Sequence, residues 1–199
     1  MKQDEFRQVL IDGTIHVIAR DGIDKASAMQ IETETGINAV YIYRCFKDKE
    51  DMFAKTFDFL DDELADAMMT NVSAMYVKNI EYEMRCRAFF AGVWQFLLSN
   101  REKCLAFVRY YYSPYFMKNS AEIHKKRFAP LVEKFGDAFR AESNIWMILN
   151  HIMNVMLDFA IKVHNGQMVP DDDYSEHVFR VVYRSVEQYF KREEVMPHG

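Results

Sequence analysis

The chain has 199 residues, enough for one compact unit or a small head on a larger body, and half of them are hydrophobic. Seven Gly and four Pro stand against 13 Met and 16 Phe, so breakers are few, helix formers are many, and an all-α protein is predicted. The formal net charge of −5 excludes a whole-chain basic footprint, so any nucleic-acid surface must be local.

Residues 4 to 20 give the first predicted helix, with Val9, Leu10, Ile15, Val17 and Ile18 as its apolar face and Asp21-Gly22 as its end. Ser27 opens a second helix, and Gln30 three residues later completes a capping box. Gly36 breaks that helix, and a third runs to about Phe46. Asp48 caps a fourth, with Glu50 and Asp51 in its first turn where the helix dipole favours acids; it continues through Phe53, Phe57, Leu60, Leu64 and Met68. Residues 71 to 77 are less regular. Helices follow over 79 to 99 and 102 to 112. Ser113-Pro114 interrupts, and 119 to 140 continues with Pro130 predicted to kink or split it. Residues 142 to 165 form a long apolar helix ended by Gly166, and 174 to 192 form the last helix after Pro170 and three Asp residues. Residues 193 to 199 are expected to be loose.

The segment from Gly36 to Phe53 carries the most information. A single Gly between two short helices supplies the left-handed residue of a tight helix-turn-helix. The third helix would turn Asn38, Ala39, Tyr41, Arg44 and Lys47 outward and Ile37, Val40 and Ile42 inward. That surface is short, polar, aromatic and basic, with no acid between Gly36 and Lys47, and suits insertion into a DNA major groove. Asn38, Ala39 and Tyr41 would lead, Asn on an adenine edge and Ala or Tyr on a thymine methyl. Tyr43, Arg44, Lys47 and Ser27, or the Ser27 amide, would hold phosphates. The bland alternative is that Tyr43 packs in a small core and Lys47 and Lys49 are a solvated helix end.

The same stretch resembles the TetR family of transcriptional regulators. The likeness runs without a gap from Leu10 to Met52 and includes Leu10, Ile15, Ala19, Gly22, Ser27, Ile31, Gly36, Ile37, Ile42, Tyr43, Phe46, Lys47, Lys49 and Glu50. Tyr-x-x-Phe-Lys-x-Lys-Glu at 43 to 50 is its most specific part. The resemblance implies a helix-turn-helix DNA-binding domain over residues 1 to 48 and a helical effector-binding and dimerisation domain over 49 to 199. It also implies backbone contacts from Tyr43 and Lys47. Three positions depart from the family. Glu32 and Val40 stand where a small residue is usual, which predicts a wider helix crossing or a Glu32 turned outward, and Tyr41 is bulkier than usual. Residues 1 to 50 hold seven Lys and Arg against nine Asp and Glu, so phosphate affinity should be modest and salt-sensitive.

The remainder is dense in large adaptable side chains. Phe89, Phe90, Trp94, Phe107, Tyr111 and Trp146 are candidates for an apolar or aromatic effector pocket, with Asn150, His151 and Asn154 as polar anchors one turn apart. Plain core is the competing account of that stripe. Of Tyr110, Tyr111 and Tyr112, at least one cannot share the core of the others. In 145 to 161 and 178 to 190 the apolar residues cover more than one face, so these two long helices are expected to pair with their symmetry mates in a homodimer.

Cys45, Cys86 and Cys104 are widely spaced and odd in number, which fits buried thiols rather than a disulfide framework. The His residues show no metal-ligand spacing, no cofactor motif is present, and Asp171 to Asp173 read as a helix cap. No apolar run is read as membrane-spanning and the N-terminus is not a signal peptide, so a cytoplasmic protein with no membrane partner is expected. The combined reading is a transcriptional repressor, not an enzyme, that leaves a double-stranded DNA operator when a small molecule binds. The alternative is a helical ligand-binding or protein-interaction module that has lost DNA binding.

Overall fold

A computed structural model describes residues 3–191, so the expectation of a loose tail over 193 to 199 and residue 192 of the last predicted helix lie outside the described residues. Among the described residues ten α-helices follow one another: α1 (Gln3–Asp21), α2 (Ala28–Thr35), α3 (Ile42–Cys45), α4 (Lys49–Asn71), α5 (Tyr82–Ser99), α6 (Arg101–Tyr111), α7 (Pro114–Asn119), α8 (Ala121–Gly136), α9 (Ile145–His164) and α10 (Asp172–Val186). Among the described residues there is no strand, only an isolated antiparallel bridge between Phe139 and Phe190. The helices fall into two compact units, one of residues up to 67 with 95 to 128, the other of 68 to 94 with 129 onward.

In the first unit the predicted caps are made. Gln30 N–H donates to Ser27 Oγ at 3.2 Å, and Ser27 N–H donates to Gln30 Oε1 at 3.1 Å. Asp48 Oδ1 accepts from Asp51 N–H at 2.8 Å and starts α4. Gly36 has φ +68, the left-handed turn that the sequence requires. Gly13 allows α1 and α2 to approach, since a Cβ there would lie 2.2 Å from Thr35 Cγ2.

The third helix is shorter than predicted. Residues Ala39–Tyr41 form a 3₁₀ turn, and only Ile42–Cys45 is α-helical. Asn38 caps the turn by accepting from Val40 N–H at 3.0 Å, and the Tyr41 ring stacks on Phe6 with centroids 5.3 Å apart. A tighter first turn rotates Val40 outward, so it is 58% exposed rather than inward as predicted.

The unit is closed by α6, α7 and the first half of α8. Arg109 on α6 donates from Nη1 to the carbonyls of Ile18 at 2.6 Å and Ala19 at 3.0 Å, at the end of α1. His16 Nδ1 lies 2.9 Å from Glu102 Oε1. Phe57 stacks on Tyr110 at 4.6 Å in the core, while Tyr112 is 69% exposed, which settles the three-tyrosine run. Asp61 is fully buried, with His124 Nδ1 at 2.7 Å from Oδ1 and Arg127 Nη1 at 2.6 Å from Oδ2.

In the second unit α8 continues through Pro130, so the predicted split does not occur there. The break comes at α7–α8 instead, around Ser120. Helix α9 buries Ile148, Leu149, Ile152, Met153, Met156, Leu157 and Ala160. This helix is long and apolar enough to cross a membrane by length and composition, with mean hydropathy 1.2, contrary to the sequence reading. Its other face carries Asn154 and Asp158, both exposed, and one side is packed on the protein. Of the apolar residues expected to pair with a symmetry mate, Ile148, Leu149, Ile152, Met153, Met156 and Ala160 of α9 and Val178, Val182 and Val186 of α10 are buried in the chain's own core, whereas Ile145, Phe159, Tyr189 and Phe190 are half-buried and Val181 is exposed. Asp171 caps α10, its Oδ1 accepting from Tyr174 N–H at 2.7 Å.

Candidate nucleic-acid interface

The short segment after Gly36 presents Asn38, Tyr43, Arg44 and Lys47 to solvent, Tyr43 at 63% exposure. Buried Ile37, Ile42 and Phe46 hold it from beneath. The Arg44 guanidinium lies 4.9 Å from the Tyr41 ring centroid, which is itself half-buried on Phe6. Tyr41 thus supports the cationic side chain and is not a leading contact. Ala39 is half-buried. Ser27 is committed within the chain: its amide and its hydroxyl both bond Gln30, which leaves neither free as the predicted phosphate holder. Lys49 donates from Nζ to the Ala26 carbonyl at 3.0 Å, so it ties α4 to the start of α2.

Glu32 turns toward the reading segment rather than outward. Its carboxylate reaches from α2 to the reading segment, where Oε2 accepts from Ala39 N–H at 3.0 Å and Oε1 accepts from Asn38 Nδ2 at 3.3 Å. The residue that departs from the family pattern is therefore the one that fastens the two helices of the motif. The sequence signal for it was the departure itself.

The candidate effector residues are scattered. Phe89 and Phe90 line a cavity of about 40 Å³, together with Met75, Phe135, Ile152, Met156 and Val182. Trp94 packs on Phe90 and donates from Nε1 to Ser175 Oγ at 3.0 Å, behind the cavity wall. Phe107 and Tyr111 stack on each other at 5.8 Å in the first unit. Trp146 and Asn150 are half-buried, and Asn150 Nδ2 bonds the Trp146 carbonyl at 3.0 Å. His151 and Asn154 are exposed, with His151 Nε2 at 2.9 Å from Ser185 Oγ of α10. The reason is periodicity: at 100° per residue, 152 and 156 face the cavity while 151 and 154 face away. Asn150, His151 and Asn154 are not its polar anchors. Cys86, Phe139, Phe179, Tyr183, Val186 and Phe190 complete the lining and were not singled out from the sequence.

Residues 10–56 match the family model of bacterial regulatory proteins, tetR family. Over those residues the chain is similar to the TetR family of transcriptional regulators. Its fold agrees. The crystal structure of a TetR family transcription regulator from Marinobacter aquaeolei matches with a TM-score of 0.74 at 17% identity, over 92% of this chain and 95% of that one. A structure from Shewanella sp. matches with a TM-score of 0.70 at 14% identity, over 93% and 98%. One from Saccharomonospora viridis, solved in complex with choline, matches with 0.59 at 13% identity, over 95% and 100%. At these identities the likeness is one of fold. No curated protein matches the chain.

Arg44 and Lys47 are exposed cations beside an exposed phenol and a carboxamide, all on one short segment fixed by a glycine turn.

Proposed function

We propose that this TetR-family chain is a ligand-responsive repressor, acting in the cytoplasm, whose head (residues 1 to 48) reads a double-stranded DNA operator. The observation that carries the reading is the exposed row Asn38, Tyr43, Arg44 and Lys47 on a segment anchored by buried Ile37, Ile42 and Phe46. Asn38 supplies base discrimination, and the other three supply phosphate contacts. Residues 49 to 199 take the effector and dimerise. The effector is a small, largely apolar molecule, because the cavity beside Phe89 and Phe90 has an apolar lining except for Cys86 and Tyr183. A drug-sized pocket holds roughly 300–1,000 Å³, so effector entry must open this one, and Met75 and Met156 are the side chains best able to yield. Met75 lies in the 3₁₀ turn Val72–Tyr76 that continues α4, whose other end begins at Lys49 beside the head. Opening the cavity therefore acts on α4 and changes the half-site spacing of a dimer, at a coupling of about 1–3 kcal/mol. The dimer uses the outward stripes of α9 and α10, which include Met147, His151, Asn154, Val181 and Arg184. Their mixed polarity predicts a reversible interface rather than a greasy one.

A second reading, a helical module without DNA function, has one observation in its favour: Glu32 already holds Asn38 and Ala39. Genomic fragments captured by the full chain separate the two. Sequence-specific enrichment, lost with Tyr43→Ala and Lys47→Ala while the dimer persists in analytical ultracentrifugation, supports the repressor. No enrichment leaves the module.

A further inference from the structure

The carboxylate that crosses from α2 to the reading segment does more than cap a turn. Asn38 is held at both ends of its amide: Nδ2 donates to Glu32 Oε1 at 3.3 Å, and Oδ1 accepts from Val40 N–H at 3.0 Å. A flip of the amide would set Oδ1 against a carboxylate oxygen and Nδ2 against an N–H, two acceptors on one side and two donors on the other. Only one orientation is satisfied. The amide nitrogen still has a second hydrogen and the oxygen a second lone pair, so a base edge can be read by what remains. Asparagine recognises adenine through one donor and one acceptor in fixed positions, and the reversed amide loses that match.

We propose that Glu32 is a specificity-setting positioning residue, which orients the Asn38 amide toward the base edges and so decides which base pair that position selects. The inference rests on the DNA-reading role proposed above. Glu32 does not touch DNA in this account and acts through Asn38. Its charge has a second consequence. A fixed anion beside the reading segment weakens attraction to phosphate everywhere along a duplex, so binding without sequence match is penalised and discrimination gains. Glu32→Gln tests both effects with almost no change of shape. Glutamine can accept one of the two donors but must point its own N–H₂ at the other, which releases Asn38 or turns it over.

The experiment is enrichment of a random duplex DNA library by the full chain, with Glu32→Gln, Asn38→Ala and the double variant beside the parent. Melting temperatures show that each variant is folded. The parent enriches a motif. Glu32→Gln changes the preference at the same motif position that Asn38→Ala changes, with a roughly tenfold loss of discrimination there. It also binds a scrambled duplex more tightly than the parent. In the Asn38→Ala background, Glu32→Gln alters the motif no further, an outcome that a general loosening of the head does not give. If Glu32→Gln does not fold, the same position is read with Asn38→Asp, which faces the Glu32 carboxylate with another and should shift the same motif position. A parent that enriches while Glu32→Gln, or Asn38→Asp in its place, yields an identical motif overturns this inference and leaves the DNA role standing. A Glu32→Gln change that persists undiminished without Asn38 overturns it as well. A parent that enriches nothing overturns the DNA role and this inference with it.

Discussion

Asp61 and His124 share a 2.7 Å hydrogen bond between two buried side chains, and Arg127 closes the arrangement from the other carboxylate oxygen. Burial alone pulls the Arg127 guanidinium down, but the Asp58 and Asp61 carboxylates overcome it and hold it above its ordinary value. A buried pair is strongly destabilised when one partner is removed, because the other is left uncompensated. Asp61→Ala should therefore cost roughly 3–5 kcal/mol in urea unfolding. Asp61→Asn, which can still bond His124 and Arg127, should cost less. Equal losses in the two variants would show that volume rather than hydrogen bonding decides this site.

Arg109 ties α6 to the end of α1 through two carbonyls. The last carbonyls of a helix have no partner of their own, and a cation there also meets the favourable end of the dipole. Arg109→Ala should lower stability by about 1–3 kcal/mol. Arg109→Lys should recover only part, since an ammonium lacks the planar fork. If Lys restores the full value, charge alone is sufficient at this helix end.

The caps, the turn and the family register of the head were legible because each depends on neighbours within a few residues. Ser27 with Gln30, Gly36, Asp48 and Asp171 all stand as read. What failed depended on contacts distant in sequence. Residues 39–41 form a 3₁₀ turn whose Tyr41 ring stacks on Phe6, a partner thirty-five residues away that nothing local announces. Asn150, His151 and Asn154 share a helix with the cavity residues Ile152 and Met156 but lie on the other side, and periodicity alone does not say which side the cavity takes. The Asp61–His124–Arg127 cluster joins residues more than sixty apart, so no spacing rule finds it. Glu32 was visible only as an irregularity whose direction the sequence left open.

Burial pushes the Cys104 thiol up to about 12 from 9.0, with its Sγ 3.4 Å from the Leu97 carbonyl. The sign follows from proton counts. Between those values the folded chain keeps a proton that the unfolded chain releases, so stability falls as pH rises above 9, and below 9 this thiol adds no pH dependence. Urea midpoints should be level from pH 7 to 8.5 on this account and decline toward pH 11. A thiol reagent at pH 8 should modify Cys45 well before Cys104, which is buried. Rapid labelling of Cys104 without unfolding would show that α6 opens locally.

Lys47 and Asn38 should separate by salt. A phosphate contact releases a counterion and a base contact does not. Lys47→Ala should weaken binding to all duplexes alike and reduce the slope of log K against log salt by about 1. Asn38→Ala should leave the slope unchanged and narrow the gap between selected and scrambled duplexes. Titrations from low to moderate salt decide this, and a slope change for Asn38→Ala would move that residue to the backbone.

Phe89 touches Phe135 at 5.1 Å between centroids and forms part of the wall of the 40 Å³ cavity. Phe89→Ala removes a ring from that wall, and a large-to-small change in a core costs roughly 3–5 kcal/mol, more where neighbours cannot collapse into the space. Here half of the remaining lining is aromatic and the rest largely apolar, so part of the space should persist and remain dry. A small apolar probe such as benzene should then raise the melting temperature of Phe89→Ala by mass action. The parent cavity is too small for a ring without rearrangement, so its melting temperature should move much less. If benzene stabilises the parent and the variant equally, the wall already opens at little cost, and effector entry needs no more than the motion of Met75 and Met156.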